Sequence, residues 1–194
     1  MPTDTRQRIL DTTAELFRRH GYTGTGLKQV VAAARAPFGS VYHFFPGGKV
    51  QLGEEVIRRS GRMYARIVAA ALAGAPDPVT AVRQAFAGAA AVLEETDYVD
   101  ACPIATVALE VASTNEILRR ATAEVFAEWV EGGSLFFQAA GIEAERSRAL
   151  AVAMIELLEG AFVLSRAMRD TAPLRTAGEA LATLVQAALP AAGG

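Results

Sequence analysis

The sequence predicts an all-α protein, on three observations. Apolar residues recur at i, i+3, i+4 and i+7 in most segments, the spacing that gives a helix one buried side. Strand-like alternation is absent. Alanine, the strongest helix former, is prominent in nearly every segment, and the breaks between segments are marked by proline and glycine.

Taken in order, Asp4 or Thr3 is placed to cap a first helix whose apolar face is Ile9, Leu10, Ala14, Leu16 and Phe17. Arg18, Arg19 and His20 suit the negative end of its dipole, and Gly21 supplies a left-handed stop. Thr25 follows, its hydroxyl placed either to cap the next helix or to meet a phosphate at a helix N-terminus. Leu27, Val30, Val31 and Ala34 then form a short helical face, interrupted by Arg35-Ala36-Pro37. A second short helix is expected to start at Pro37 and to run through Val41, Tyr42 and Phe45 before Pro46-Gly47-Gly48. Two short helices joined by a tight turn are the layout of a helix-turn-helix.

From Lys49 to about Leu72 runs one long helical segment, with Leu52, Val56, Met63, Ile67 and Ala70 on one side and several arginines in its first half. Gly74 to Pro78 breaks the chain. A helix over about Val79–Leu93 follows and ends in the acidic loop 94–100. Pro103 opens a short apolar helix, and Ser113-Thr114-Asn115-Glu116 is a capping signal for a longer one reaching Phe137. Gly132-Gly133 lies inside it, and each glycine costs about 1 kcal/mol against alanine, so a weakened or kinked helix is expected there. Glu143 to about Met168 is the most apolar long helix, and a last one spans roughly Thr176–Leu189 after the break at Asp170–Pro173. A helix apolar nearly all round is deeply buried or faces two partners.

The chain of 194 residues suffices for one large domain, or for a small and a medium one. Its net charge of −2 hides an asymmetry: residues 1–62 hold ten Lys/Arg against five Asp/Glu, and the remainder nine against sixteen. A basic first third on an acidic remainder directs a polyanion to one end. The single cysteine, Cys102, has no partner for an internal disulfide, and no Cys and His have metal-ligand spacing, so neither metal nor cofactor is expected. Two histidines and one cysteine offer no nucleophile–base pair, which argues against an enzyme. The polar N-terminus and the lack of a run of ~20 apolar residues point to a cytoplasmic protein without a membrane partner.

The first helix ends Phe17-Arg18-Arg19-His20-Gly21-Tyr22, and Thr25, Leu27, Val30, Ala33-Ala34, Gly39-Ser40, Val41-Tyr42-His43-Phe44-Phe45-Pro46 and Lys49 follow. In these residues the chain resembles the TetR family of one-component transcriptional regulators. Phe45-Pro46-Gly47-Gly48-Lys49 and Cys102-Pro103-Ile104-Ala105 resemble its LmrA/YxaF-type branch. The resemblance implies nine helices or so. Three would form a helix-turn-helix DNA-binding domain over residues 1–48, and residues 49–194 a helical ligand-binding and dimerisation domain. The last two helices would pair with a second copy in a four-helix bundle. It also implies a repressor that binds a palindromic double-stranded DNA operator as a homodimer and is released by a small hydrophobic effector. A dimer is expected on physical grounds too, because a short recognition helix buries little surface and gains affinity from half-sites ~34–36 Å apart.

Residues near the start of a recognition helix reach base edges; here these are Pro37, Phe38, Gly39 and Ser40, with Tyr42 and His43 one turn on. By resemblance Thr25, Tyr42, His43 and Lys49 hold phosphates, with Lys28 and Arg35 as further contacts. Two positions depart from the family pattern: Phe38 stands where many relatives have lysine, and Arg35 where glycine is usual. Phe38 forms no hydrogen bond to a base but suits a thymine methyl, so either specificity has shifted or affinity is reduced. The corresponding alternative is a small-molecule binding protein of the same fold that has lost specific DNA binding. Candidate effector residues are Phe86, Leu93, Val107, Phe126, Trp129, Met154 and Phe162, with Glu110, Glu156 and Glu159 as polar handles. The candidate dimer interface comprises Leu150, Leu157, Leu158, Leu181, Leu184 and Val185.

Overall fold

A computed structural model describes residues 4–100 and 102–190. Among these residues there are nine helices and no strand. They are α1 (Thr5–His20), α2 (Leu27–Ala33), α3 (Gly39–Phe44), α4 (Gly48–Ala73), α5 (Pro78–Glu95), α6 (Pro103–Val111), α7 (Glu116–Ala139), α8 (Ala144–Met168) and α9 (Ala172–Ala188). No helix among the described residues is long and apolar enough to cross a membrane.

Local chemistry accounts for most helix ends. The Asp4 carboxylate accepts the Arg6 N–H and caps α1, while Thr3, the alternative cap, lies outside the described residues. Asp77 caps α5 through the Thr80 N–H at 2.8 Å. Asn115 caps α7 through the Leu118 N–H at 3.1 Å, and Glu143 caps α8 through two N–H groups. Three boundaries and one continuity differ from the sequence expectation. Helix α3 begins at Gly39 rather than Pro37, because Pro37 and Phe38 accept the Ser40 and Val41 N–H groups in tighter three-residue turns. Helix α9 begins at Ala172 rather than Thr176, since Pro173 sits in its first turn, where a missing N–H costs nothing. Thr25 does not cap α2, whose N-cap is Gly26 without a side-chain bond. Finally, α7 runs uninterrupted through Gly132-Gly133. Gly133 is used there for packing: a Cβ on it would lie 3.0 Å from that of Ala151 on α8, so the missing side chain gives α8 room.

The described residues within Met1–Met63 and Ala101–Val125 form one compact unit, and those within Tyr64–Asp100 and Phe126–Gly194 another. The chain passes between the units three times, inside α4, between residues 100 and 101, and inside α7. In the first unit α1 packs on α2, α3 and α6. Its core holds Ile9, Leu10, Phe17, Val30, Val31, Val41, Phe45, Leu52, Val56 and Ile57, with Ile104, Val107, Val111 and Leu118 from the later segment. In the second unit α9 packs on both α5 and α8. Its core is Val79, Val82, Phe86, Leu93, Phe137, Leu150, Met154, Leu174, Leu181 and Val185. Gly178 lets α9 approach α5, since a Cβ there would meet that of Phe86 at 2.8 Å.

Candidate nucleic-acid interface

Helices α2 and α3 form the helix-turn-helix. Val30, Val31, Ala34, Val41 and Phe45 are buried and anchor it, which turns the remaining residues outward. The turn is made at Arg35, which adopts a left-handed conformation with φ 51°. The Ala36 N–H donates to Val31 O at 2.9 Å and closes it. Arg8 of α1 supports this corner, its Nε donating to the Ala34 carbonyl at 3.2 Å. Nothing in the local pattern of the sequence pointed to that role. Arg6 is a second support: its guanidinium lies 5.3 Å from the Phe45 ring centre and pairs with Glu55 of α4. Arg59 of α4 pairs with Asp11 of α1 at 2.8 Å.

Lys28, Arg35, Pro37, Phe38, Gly39, Tyr42 and His43 are exposed, and Ser40 is half-buried. The structure thus leaves these sequence-predicted residues at the surface of one motif. Phe38 and Tyr42 are 45% and 51% exposed, and their rings meet edge to face with centres 5.9 Å apart.

Two predicted phosphate ligands are less exposed. Thr25 is buried, and its hydroxyl donates to the Gly21 carbonyl at 2.7 Å, so it organises the α1–α2 loop. Lys49 is half-buried at the start of α4, with Nζ 4.3 Å from the centre of the Tyr22 ring. Burial lowers the pKa of its ammonium group, and the nearby Glu110 carboxylate opposes that shift. Burial also raises the pKa of the Tyr22 hydroxyl.

Glu110, expected as a polar handle for an effector, instead accepts the Thr23 N–H at 2.6 Å and so ties α6 to the α1–α2 loop. It lies against Gly21, at φ 71° and ψ −177°, a conformation essentially restricted to glycine. A Cβ there would fall 1.7 Å from Glu110 Oε1. The two partners are 87 residues apart, which is why no sequence pattern announces the contact.

The remaining effector candidates divide between the units. Val107 is buried in the first. In the second, Phe86, Leu93 and Met154 are buried and Phe162 packs against their cluster, while Phe126 and Trp129 form an edge-to-face pair with centres 5.6 Å apart. Glu156 is exposed and Glu159 half-buried. Of the dimer candidates, Leu150, Leu181 and Val185 lie in the core of their own unit. Leu157 and Leu158 are half-buried and Leu184 is exposed. The most exposed large apolar side chains of α8, not singled out for this role from sequence, are Val163, Leu164 and Met168. Among the described residues no cluster of His, Cys, Asp and Glu could hold a metal ion.

Comparison with known proteins agrees with this geometry. A family model described as bacterial regulatory proteins, tetR family, matches residues 9–56. Another, described as transcriptional regulator LmrA/YxaF-like, C-terminal domain, matches residues 78–180. The chain is 31% identical over 183 residues to the HTH-type transcriptional regulator YxaF of Bacillus subtilis, covering 94% of this chain and 96% of that protein. It is 26% identical over 198 residues to the HTH-type transcriptional repressor DhaR of Mycobacterium sp., covering 97% and 94%. The crystal structure of a regulatory protein TetR from Rhodobacter sphaeroides has the same fold, with a TM-score of 0.82 at 23% identity and coverage of 92% and 97%.

Proposed function

Because the chain belongs to the TetR family of transcriptional regulators, and is therefore a DNA-binding regulator and not an enzyme, we propose that it is a ligand-responsive repressor. In this reading it acts in the cytoplasm, binds a palindromic operator as a homodimer and is released by a small hydrophobic effector. The observation that carries the proposal is the exposure of Lys28, Arg35, Phe38, Tyr42 and His43 on a motif anchored by buried Val30, Val31, Ala34, Val41 and Phe45. A rigid frame with outward basic and aromatic groups suits a major groove edged by phosphates. The basic first third of the chain favours the same end, and similarity to the transcriptional repressor DhaR supports the sign of regulation.

The functional division falls at residues 48 and 49. Residues 1–48 meet DNA, with Thr25 ordering the loop and Lys49 placed at the boundary. Residues 49–194 bind the effector and the second copy. Phe86, Leu93, Phe126, Trp129, Met154 and Phe162 supply apolar and aromatic lining of the kind small-molecule sites use. Effector binding releases DNA only by the difference in its affinity for the two states of the dimer. Leu157, Leu158 and Leu184 face the second copy, with the exposed Val163, Leu164 and Met168.

A mobility shift with DNA from the region upstream of the gene tests the proposal. Retardation at modest salt is expected, and a folded dimer that retards no such DNA would sink it. Phe38 and Arg35 favour a second reading, an effector-binding module without specific DNA binding. Restoring Phe38→Lys with Arg35→Gly separates the two, since a gain of DNA binding is expected only if those residues had removed it.

A further inference from the structure

We propose that Phe38 reads a thymine methyl group in each operator half-site and that Tyr42 is the positioning residue that holds its ring; this rests on the regulator reading above. Both rings are about half exposed, on the short helix whose other side is anchored by Val41. Phe38 at the N-cap and Tyr42 one turn later pack edge to face, with ring centres 5.9 Å apart and planes at 65°. A contact of this kind restricts the Phe38 ring before any partner arrives, so little rotamer freedom is lost on binding.

The chemistry selects the partner. Phenylalanine has no donor or acceptor, and the only apolar group on the major-groove edge of DNA is the thymine C5-methyl. Exposed Lys28 and Arg35 precede the pair in sequence and favour a polyanionic partner over an apolar protein surface. Tyr42 adds a hydroxyl that can donate to a phosphate while its ring remains against Phe38.

The test begins with selection of operator sequences from a random duplex pool by the full-length protein. Each invariant thymine is then replaced by deoxyuridine, which removes only the methyl group. One position per half-site is expected to lose about fourfold in affinity, the value of one buried carbon. Phe38→Ser should bind the thymine and deoxyuridine duplexes equally, with unchanged helical circular dichroism because the side chain is exposed. Tyr42→Phe should keep the discrimination, and Tyr42→Ala should reduce it. Enrichment of a sequence with no methyl dependence, or methyl dependence that survives in Phe38→Ser, overturns the inference alone. Discrimination that survives intact in Tyr42→Ala overturns the positioning role. Failure to enrich any sequence overturns both this inference and the regulator reading.

Discussion

At the residue scale, Arg35 shows how a substitution can alter conformation and recognition together. Its φ of 51° costs a side-chain-bearing residue more than glycine, while glycine loses more chain entropy on folding. Arg35→Gly should therefore stabilise the protein by roughly 0.5–1 kcal/mol. Arg35→Ala should give no such gain, and denaturant midpoints of the two variants decide the point. Lys28 tests the electrostatic part of recognition. Lys28→Ala should weaken binding alike across DNA sequences and lower the salt slope by about one, as titration at several salt concentrations would show. Glu116 supplies a pH test. Its hydrogen bonds to Arg119 and Arg120 draw its pKa down from 4.5 to about 2. A depressed carboxylate stabilises the fold above its ordinary pKa, and that contribution is lost as pH falls from 4.5 towards 2. The difference in unfolding midpoint between wild type and Glu116→Gln should be largest above pH 4.5 and shrink through that window. A difference independent of pH would exclude the ion-pair account.

At the element scale, the paired glycines of α7 make separable claims. Gly132 has open space around it, whereas a Cβ on Gly133 would lie 3.0 Å from that of Ala151. Gly132→Ala should gain up to about 1 kcal/mol from helix propensity. Gly133→Ala should gain less or lose stability, because α8 must give way. Thermal unfolding of the two single variants compares them directly, and equal gains would show that the close approach of α7 and α8 is immaterial. The same contact explains why α7 continues where propensity alone weakens it.

At the scale of the whole molecule, the proposed dimer depends on which apolar groups the fold leaves outside. Leu181 and Val185 complete the core of their own unit, while Leu164 of α8 and Leu184 of α9 are exposed. The double variant Leu164→Glu, Leu184→Glu should remain helical and sediment as a monomer, and operator affinity should fall with it. A wild-type protein that is itself monomeric at micromolar concentration would remove the basis of the proposal. Buried Leu181 gives the contrast: Leu181→Ala should lower the unfolding temperature through a cavity costing about 2–5 kcal/mol.

The sequence by itself determined the helical class, the order of the elements, the caps of α1 and α7 and the helix-turn-helix. These rest on interactions within one turn or on the 3.6-residue period, so the responsible residues are neighbours in the chain. Its resemblance to the TetR family also marked Phe38 and Arg35 as departures, because many relatives have lysine and glycine at those positions. Only the tertiary structure decided that Glu110 holds the Thr23 N–H and that Arg8 supports Ala34. The same is true of the inward-facing Thr25 hydroxyl and of the division of the apolar residues of α8 and α9 into core and surface. A periodic pattern states that a helix has an apolar side, and on helices apolar nearly all round it does not state which part another helix covers. That depends on partners tens of residues away, and their approach distances are set by packing.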